Sequence, residues 1–156
     1  MAARIGADVP FFLRAGAQVA SADGTELTAV ELPLDYHIVL VVPHEETKLS
    51  TAAVYDAFDE RSGADDFPER TAAFHHALES MTEARDLARL PANDLASSAI
   101  SRELAAAGAF RADVSGAGPV AYGLFDHAAD AVEAAAALTH AGRTIVTRPL
   151  PAVDLA

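Results

Sequence analysis

The chain has 156 residues, 51% of them hydrophobic, which suits one folded domain with a real core rather than a disordered segment. Its net charge of -12 argues against nucleic-acid and anionic-membrane surfaces, which need basic patches. With no cysteine, disulfides and thiolate metal sites are excluded, and no apolar run reaches the roughly 18 residues of a membrane span. The start shows no secretory signal, because charged Asp8 interrupts any apolar run after Arg4. A cytoplasmic protein is the expectation.

Chain order begins with Gly6-Ala7-Asp8-Val9-Pro10-Phe11-Phe12-Leu13. Val9-Pro10 pushes the backbone out of regular helix, and Pro10 then opens a new helical turn. Asp8 lies at or beside the start of that turn, where free N–H groups favour an ionised carboxylate. On local pattern this is a helix cap; a chemical role is the alternative. Ala15–Ser21 and Thr25–Leu32 alternate around Asp23-Gly24 and read as a hairpin. Ile38-Val39-Leu40-Val41-Val42, within Tyr36–Pro43, reads as a central strand buried on both faces.

Ser50 or Thr51 caps a predicted helix to about Arg61, with Ala52, Val54, Tyr55 and Phe58 on its apolar side. A turn follows at residues 62–66. A second helix is predicted from Pro68 to Met81, with Phe74, Leu78 and Met81 on one face. Asn93 or Asp94 caps a third, Leu95–Ala107, ended by Gly108. Ala109–Val114 and Pro119–Phe125 are strands flanking the tight loop Ser115-Gly116-Ala117-Gly118. An alanine-rich helix, Ala128–Ala141, is closed by Gly142, and Arg143–Leu150 is the last strand. The class is α+β: a single domain over residues 1–156, with a mainly antiparallel sheet of about four strands and helices on one face.

Five groups of residues are weighed for a chemical reading. Two glycines in Ser115–Gly118 let backbone approach an anion, although a plain turn fits as well. Tyr55 lies one helical turn past Thr51, so the two share a side, for core packing or for a flat ring. Asn93-Asp94 reads as a cap and loop anchor. The six histidines show no metal spacing, and adjacent His75 and His76 point different ways on a helix; no metal site is predicted. Asp59, Glu60, Asp65, Asp66 and Glu69 read as a solvated acidic face.

Taken together, the Asp8 segment and Ala112-Asp113-Val114-Ser115-Gly116-Ala117-Gly118-Pro119 resemble the GHMP superfamily of small-molecule kinases. Gly6-Ala7-Asp8-Val9-Pro10-Phe11-Phe12 looks most like its branch of 4-diphosphocytidyl-2-C-methyl-D-erythritol kinases. Asp23-Gly24-Thr25-Glu26-Leu27, Ser50-Thr51 with Tyr55, and Asn93-Asp94-Leu95 resemble further motifs of that branch. Ala15, Ala22 and Ala117 depart from its glycine and serine positions.

The resemblance implies a ferredoxin-like C-terminal domain and a set of roles. Asp8 would orient or deprotonate the substrate hydroxyl. Tyr55 would stack on the cytosine of a diphosphocytidyl methylerythritol substrate, with Thr51 near it. Ser115, Gly116, Ala117 and Gly118 would border the phosphate side of the site. ATP and Mg2+ are implied for the intact enzyme. The family's Pro-x-x-x-Gly-Leu-x-Ser-Ser phosphate loop and its early lysine have no match, since Lys48 is the only lysine. These 156 residues alone are therefore expected to show little or no kinase activity. The alternatives are a non-catalytic binding or oligomerisation module, with a homo-oligomer expected, or another GHMP kinase such as homoserine kinase.

Overall fold

A computed structural model describes residues 4–6, 9–13, 16–21, 24, 26–44 and 50–151. They form two compact units: residues Met1–Leu34 with Pro149–Ala156, and Asp35–Arg148.

In the first unit, a 3-10 helix spans Val9–Leu13, so the chain does turn helical at Pro10. Strands β1 (Gln18–Ser21) and β2 (Glu26–Ala29) pair antiparallel, with Gln18 opposite Ala29 and Ser21 opposite Glu26. The turn between them places Gly24 at φ +87°, a conformation that favours glycine. The predicted hairpin is therefore present, with shorter strands. Asp8, Ala15 and Ala22 lie outside the described residues.

The second unit holds a four-stranded antiparallel sheet in the order β4-β5-β3-β6. Its strands are β3 (His37–Pro43), β4 (Arg111–Val114), β5 (Ala121–Phe125) and β6 (Gly142–Thr147). The β-branched run makes β3 a central strand, between β5 and β6. Val39 and Val41 are fully buried, whereas Ile38, Leu40 and Val42 on the other face are only half-buried. Burial on both faces is thus unequal.

Helices α1 (Thr51–Glu60), α2 (Phe67–Glu79), α3 (Ala99–Ala106) and α4 (Ala128–Ala137) complete the unit. Helix α3 packs on β4 and β5, and α4 on β3, β5 and β6. The core joins Val39, Val41, Ala121 and Phe125 of the sheet to Leu104, Ala131, Ala134 and Leu138. Alanines on α4 let that helix approach closely. Gly123 serves the same fit: a Cβ there would lie 3.1 Å from both the Leu104 and the Phe125 side chains.

Register separates the two faces of the sheet. Ala112 and Val114 lie opposite Gly123 and Ala121, on the side packed by α3 and α4. Arg111 and Asp113, between them, therefore project from the opposite face. There the 3-10 helix Ala84–Arg89 meets β4. No element was anticipated at that position.

Several boundaries differ from the sequence reading; strands β4 and β5 start at Arg111 and Ala121, α2 ends at Glu79 and β6 at Thr147. Helix α3 starts at Ala99, not Leu95, because Ser98 is its cap; Ser98 Oγ accepts from the Ile100 amide at 3.1 Å. Helix α4 ends at Ala137 and continues as a 3-10 turn, Leu138–His140. Gly142 belongs to β6 instead of closing that helix, and a Cβ on it would collide with the Val42 carbonyl oxygen. On α1, Val54 is buried, but Ala52 and Tyr55 are exposed, so Tyr55 is not a core residue.

Candidate active site

The loop Ser115–Gly118 joins β4 to β5 and is closed by two backbone bonds. The Ser115 amide donates to the Val120 carbonyl at 2.8 Å, and the Gly118 amide to the Ser115 carbonyl at 2.9 Å. Gly116 sits at φ +55° and Gly118 at φ +80°, and Gly118–Pro119 is a cis peptide. Positive φ is what only glycine adopts without strain, so the two glycines set the shape of this bend. A Cβ on Gly116 would meet nothing within 4 Å. Among the described residues, no acceptor faces the Gly116 or Ala117 amide. The bend thus offers open backbone donors to water or to an anion.

Beneath the loop lies a polar network. Asn93 Nδ2 donates to the carbonyls of Val114 (2.9 Å) and Gly116 (2.7 Å). Its Oδ1 accepts from the amides of Leu95 (2.9 Å) and Ala96 (3.3 Å). The Asn93 amide donates to Asp113 Oδ2 at 2.8 Å, and Asp113 Oδ1 accepts from the Val114 amide at 2.8 Å. Arg111 closes the network. Its Nε donates to the Tyr122 hydroxyl, Nη1 to the carbonyls of Leu87 and Leu90, and Nη2 to the Pro91 carbonyl and to Asp113. Five N–H groups thus meet five acceptors, which is the full capacity of a guanidinium.

Helix α1 carries Thr51 and Tyr55. Ser50, not Thr51, caps it, its Oγ accepting from the Ala53 amide at 3.1 Å. This leaves the Thr51 side chain uncommitted to the cap, and it is exposed, as is Tyr55 at 50%. At the far end of α1, Arg61 stacks over Phe58, with 5.3 Å between guanidinium and ring centroid, and donates to the carbonyls of Asp94 and Leu95. From α2, Arg70 pairs with the Asp94 carboxylate at 3.0 Å and donates to the Gly63 carbonyl at 2.6 Å.

Thr51, Tyr55 and Ser115–Gly118 therefore belong to one compact unit, with Asn93-Asp94-Leu95 hydrogen-bonded to both regions. Asp8 lies outside the described residues. Asn93 anchors a loop, as anticipated, but caps an Asx-type turn instead of a helix. The sequence reading gave no role to Arg111, Arg61 or Arg70, and named Asp113 only within the Ala112–Pro119 string. An available signal was the Arg111-Ala112-Asp113 alternation, which puts two opposite charges on the face of a strand away from its apolar neighbours.

Among the described residues two titrations are displaced, both outside the loop. The backbone amide of Thr82, then that of Glu83, holds the Asp86 carboxyl below its ordinary value. Burial raises the Tyr36 phenol, with a smaller effect from Tyr122. His75, His76 and the acidic residues Asp59, Glu60, Asp65, Asp66 and Glu69 are exposed. Among the described residues, no three His, Asp or Glu side chains are grouped to hold a metal ion. None of the described helices is long and apolar enough to cross a membrane.

The family model for "GHMP kinases C terminal" matches residues 74–144, from α2 through β4, the glycine loop and β5 into β6. Over residues 74–144 the chain is thus similar to the GHMP kinase C-terminal family. Two relatives extend the likeness over the rest of the chain. One is 4-diphosphocytidyl-2-C-methyl-D-erythritol kinase of Rhodococcus jostii, 36% identical over 96% of this chain and 52% of its own length. The same enzyme of Chlorobium luteolum is 36% identical over 84% of this chain and 47% of its own. A crystal structure of 4-(cytidine 5'-diphospho)-2C-methyl-D-erythritol kinase superposes with a TM-score of 0.67 at 25% identity, covering 94% of this chain and 54% of that one. The chain thus spans about half the length of the curated relatives it matches. The antiparallel four-stranded sheet with its helices is the GHMP kinase C-terminal fold, as the resemblance implied.

Proposed function

We propose that this chain is the C-terminal half of a 4-diphosphocytidyl-2-C-methyl-D-erythritol kinase acting in the cytoplasm. The observation that carries the reading is the 36% identity to the Rhodococcus jostii kinase over 96% of the chain. In the intact enzyme, ATP with magnesium supplies the phosphoryl group and screens its charge. The residues of this chain do the positioning. Asp8 accepts the hydrogen bond of the substrate hydroxyl and draws its proton away. Exposed Tyr55 offers a ring face to the cytosine, with Thr51 one turn before it. The open amides of Gly116 and Ala117 fit a phosphate oxygen.

A chimaera tests this reading. The first half of the Rhodococcus jostii kinase, joined to this chain, is expected to phosphorylate diphosphocytidyl methylerythritol with ATP. Asp8→Asn should lower that rate by at least about a hundredfold. The 156-residue chain alone is expected to show no turnover. A folded chimaera that phosphorylates homoserine instead, or an Asp8→Asn form at full rate, overturns the assignment.

For the isolated chain we propose self-association, because Phe12 and Leu13 are 76% and 63% exposed. Sedimentation velocity should then show a species heavier than the monomer; a clean monomer refutes it.

A further inference from the structure

We propose that Asn93-Asp94-Leu95 is a tie that positions the Ser115–Gly118 loop and couples it to helices α1 and α2. The three residues face two ways. Toward the loop, Asn93 Nδ2 holds the Val114 and Gly116 carbonyls, one on each side of Ser115. Toward the helices, the Asp94 carboxylate takes Arg70 of α2, while the Asp94 and Leu95 carbonyls take Arg61 at the end of α1. Asn93 Oδ1 bonds the Leu95 and Ala96 amides, which keeps the segment in one rigid turn between the two sets of contacts. The segment cannot swing toward either side without breaking charge-assisted or paired bonds.

The consequence concerns the substrate site. Thr51 and Tyr55 lie on the helix whose C-terminal end Arg61 fastens to the tie. A ligand that shifts α1 therefore moves the frame on which the glycine bend is hung. Arg61, Arg70, Asn93 and Asp94 are positioning residues: none of them is offered as touching substrate. This consequence rests on the ligand-facing reading of the loop; the tie itself does not.

Amide hydrogen exchange on the ligand-free 156-residue chain tests the tie. The probes are the Ser115 and Gly118 amides, which are bonded within the loop, measured as a ratio to the Val39 and Val41 amides of the core strand. A merely structural loss speeds all four together; loss of positioning speeds the loop pair alone. Asn93→Ala removes two bonds to the loop and should raise the ratio about tenfold or more. Arg70→Ala removes a half-exposed ion pair distant in sequence and should raise it about two- to fivefold. In the double variant the Arg70 increment should vanish, since its route to the loop is already cut. Asn93→Asp and Arg70→Met keep side-chain bulk without the Nδ2 donors or the guanidinium charge, and serve if an alanine form fails to fold. Asn93→Asp should raise the ratio at least as much as Asn93→Ala, because it lacks the Nδ2 donors and sets a carboxylate against the Val114 and Gly116 carbonyls. The exposed-site change Glu69→Gln should leave the ratio unaltered. Fully additive effects, or a loop ratio unmoved by Arg70→Ala, overturn the coupling. A separate titration with cytidine diphosphate and ADP distinguishes the two ideas: coupled exchange without any nucleotide-induced shift keeps the tie and rejects the ligand role.

Discussion

Arg111→Met is the sharpest test of what holds the glycine bend in place. Methionine keeps a stem of similar length and removes all five N–H donors, so it isolates hydrogen bonding from packing. The carbonyls of Leu90 and Pro91 lose the guanidinium, the Leu87 carbonyl keeps only the Leu90 amide, and the Asp113 carboxylate loses its counter-charge. Both side chains are largely shielded, with 13% and 11% exposed. Removing one partner of such a pair costs about 3–5 kcal/mol. Asp113 keeps two backbone donors, so the lower end, about 3 kcal/mol, is the expected value. For a unit spanning Asp35–Arg148, an unfolding entropy of about 2.1 cal/mol/K per residue converts this to a drop in Tm of about 12 °C. Circular-dichroism melts, with urea titrations at constant m, measure it. Arg111→Lys should recover half of the loss at most, because an ammonium has three donors and no planar fork. A Tm for Arg111→Met within about 3 °C of the parent, or full recovery with lysine, refutes the reasoning.

Asp86→Asn should act only above acid pH. The fold holds the Asp86 carboxyl below its ordinary value, so its stabilisation is present above the ordinary carboxylate range and is lost as pH falls through the lowered, folded-state value. The stability gap between parent and variant, read from urea midpoints, should be open at neutral pH and closed in strong acid; a constant gap contradicts this. Gly142→Ala should cost about 2–3 kcal/mol, because its Cβ meets the backbone at Val42 and Pro43. Gly116→Ala, at φ +55° in open space, should cost about 1 kcal/mol, and a reversed order in urea midpoints counts against the packing described. Tyr55→Ala should cost less than about 1 kcal/mol, since half of that residue is exposed; a loss of several would return it to the core.

What the sequence made legible is what a local rule determines. The β-branched run at 38–42 needs two flanking strands, and it has them in β5 and β6. Asp23-Gly24 between alternating segments makes a hairpin whatever surrounds it. Tertiary contacts decided the remainder. The apolar spacing of α1 reads Tyr55 as core, yet Val54 alone is buried there, because α1 meets no broad sheet face. Helix α3 was expected from Leu95 because Asn93 is a good cap in isolation. In the fold, Asn93 spends its Nδ2 on β4 and the glycine bend, and its Oδ1 on a turn, leaving Ser98 to start the helix. Neither partner lies within 20 residues of Asn93 on the loop side, so no window of sequence displays the competition.

Beneath the loop stand charges instead of apolar packing. An aliphatic cluster at Arg111 and Asp113 would hold β4 against the 3-10 segment Ala84–Arg89 just as firmly, and without the cost of burying charge. It would not, however, dictate where carbonyls and amides sit. Each acceptor that Arg111 engages is a backbone carbonyl, a hydroxyl or a carboxylate at a distinct point, and Asp113 engages the amides of Asn93 and Val114 in turn. Directional bonds of this kind fix backbone position, whereas dispersion contacts tolerate sliding. Behind a bend that presents open amides, backbone position is the property that matters.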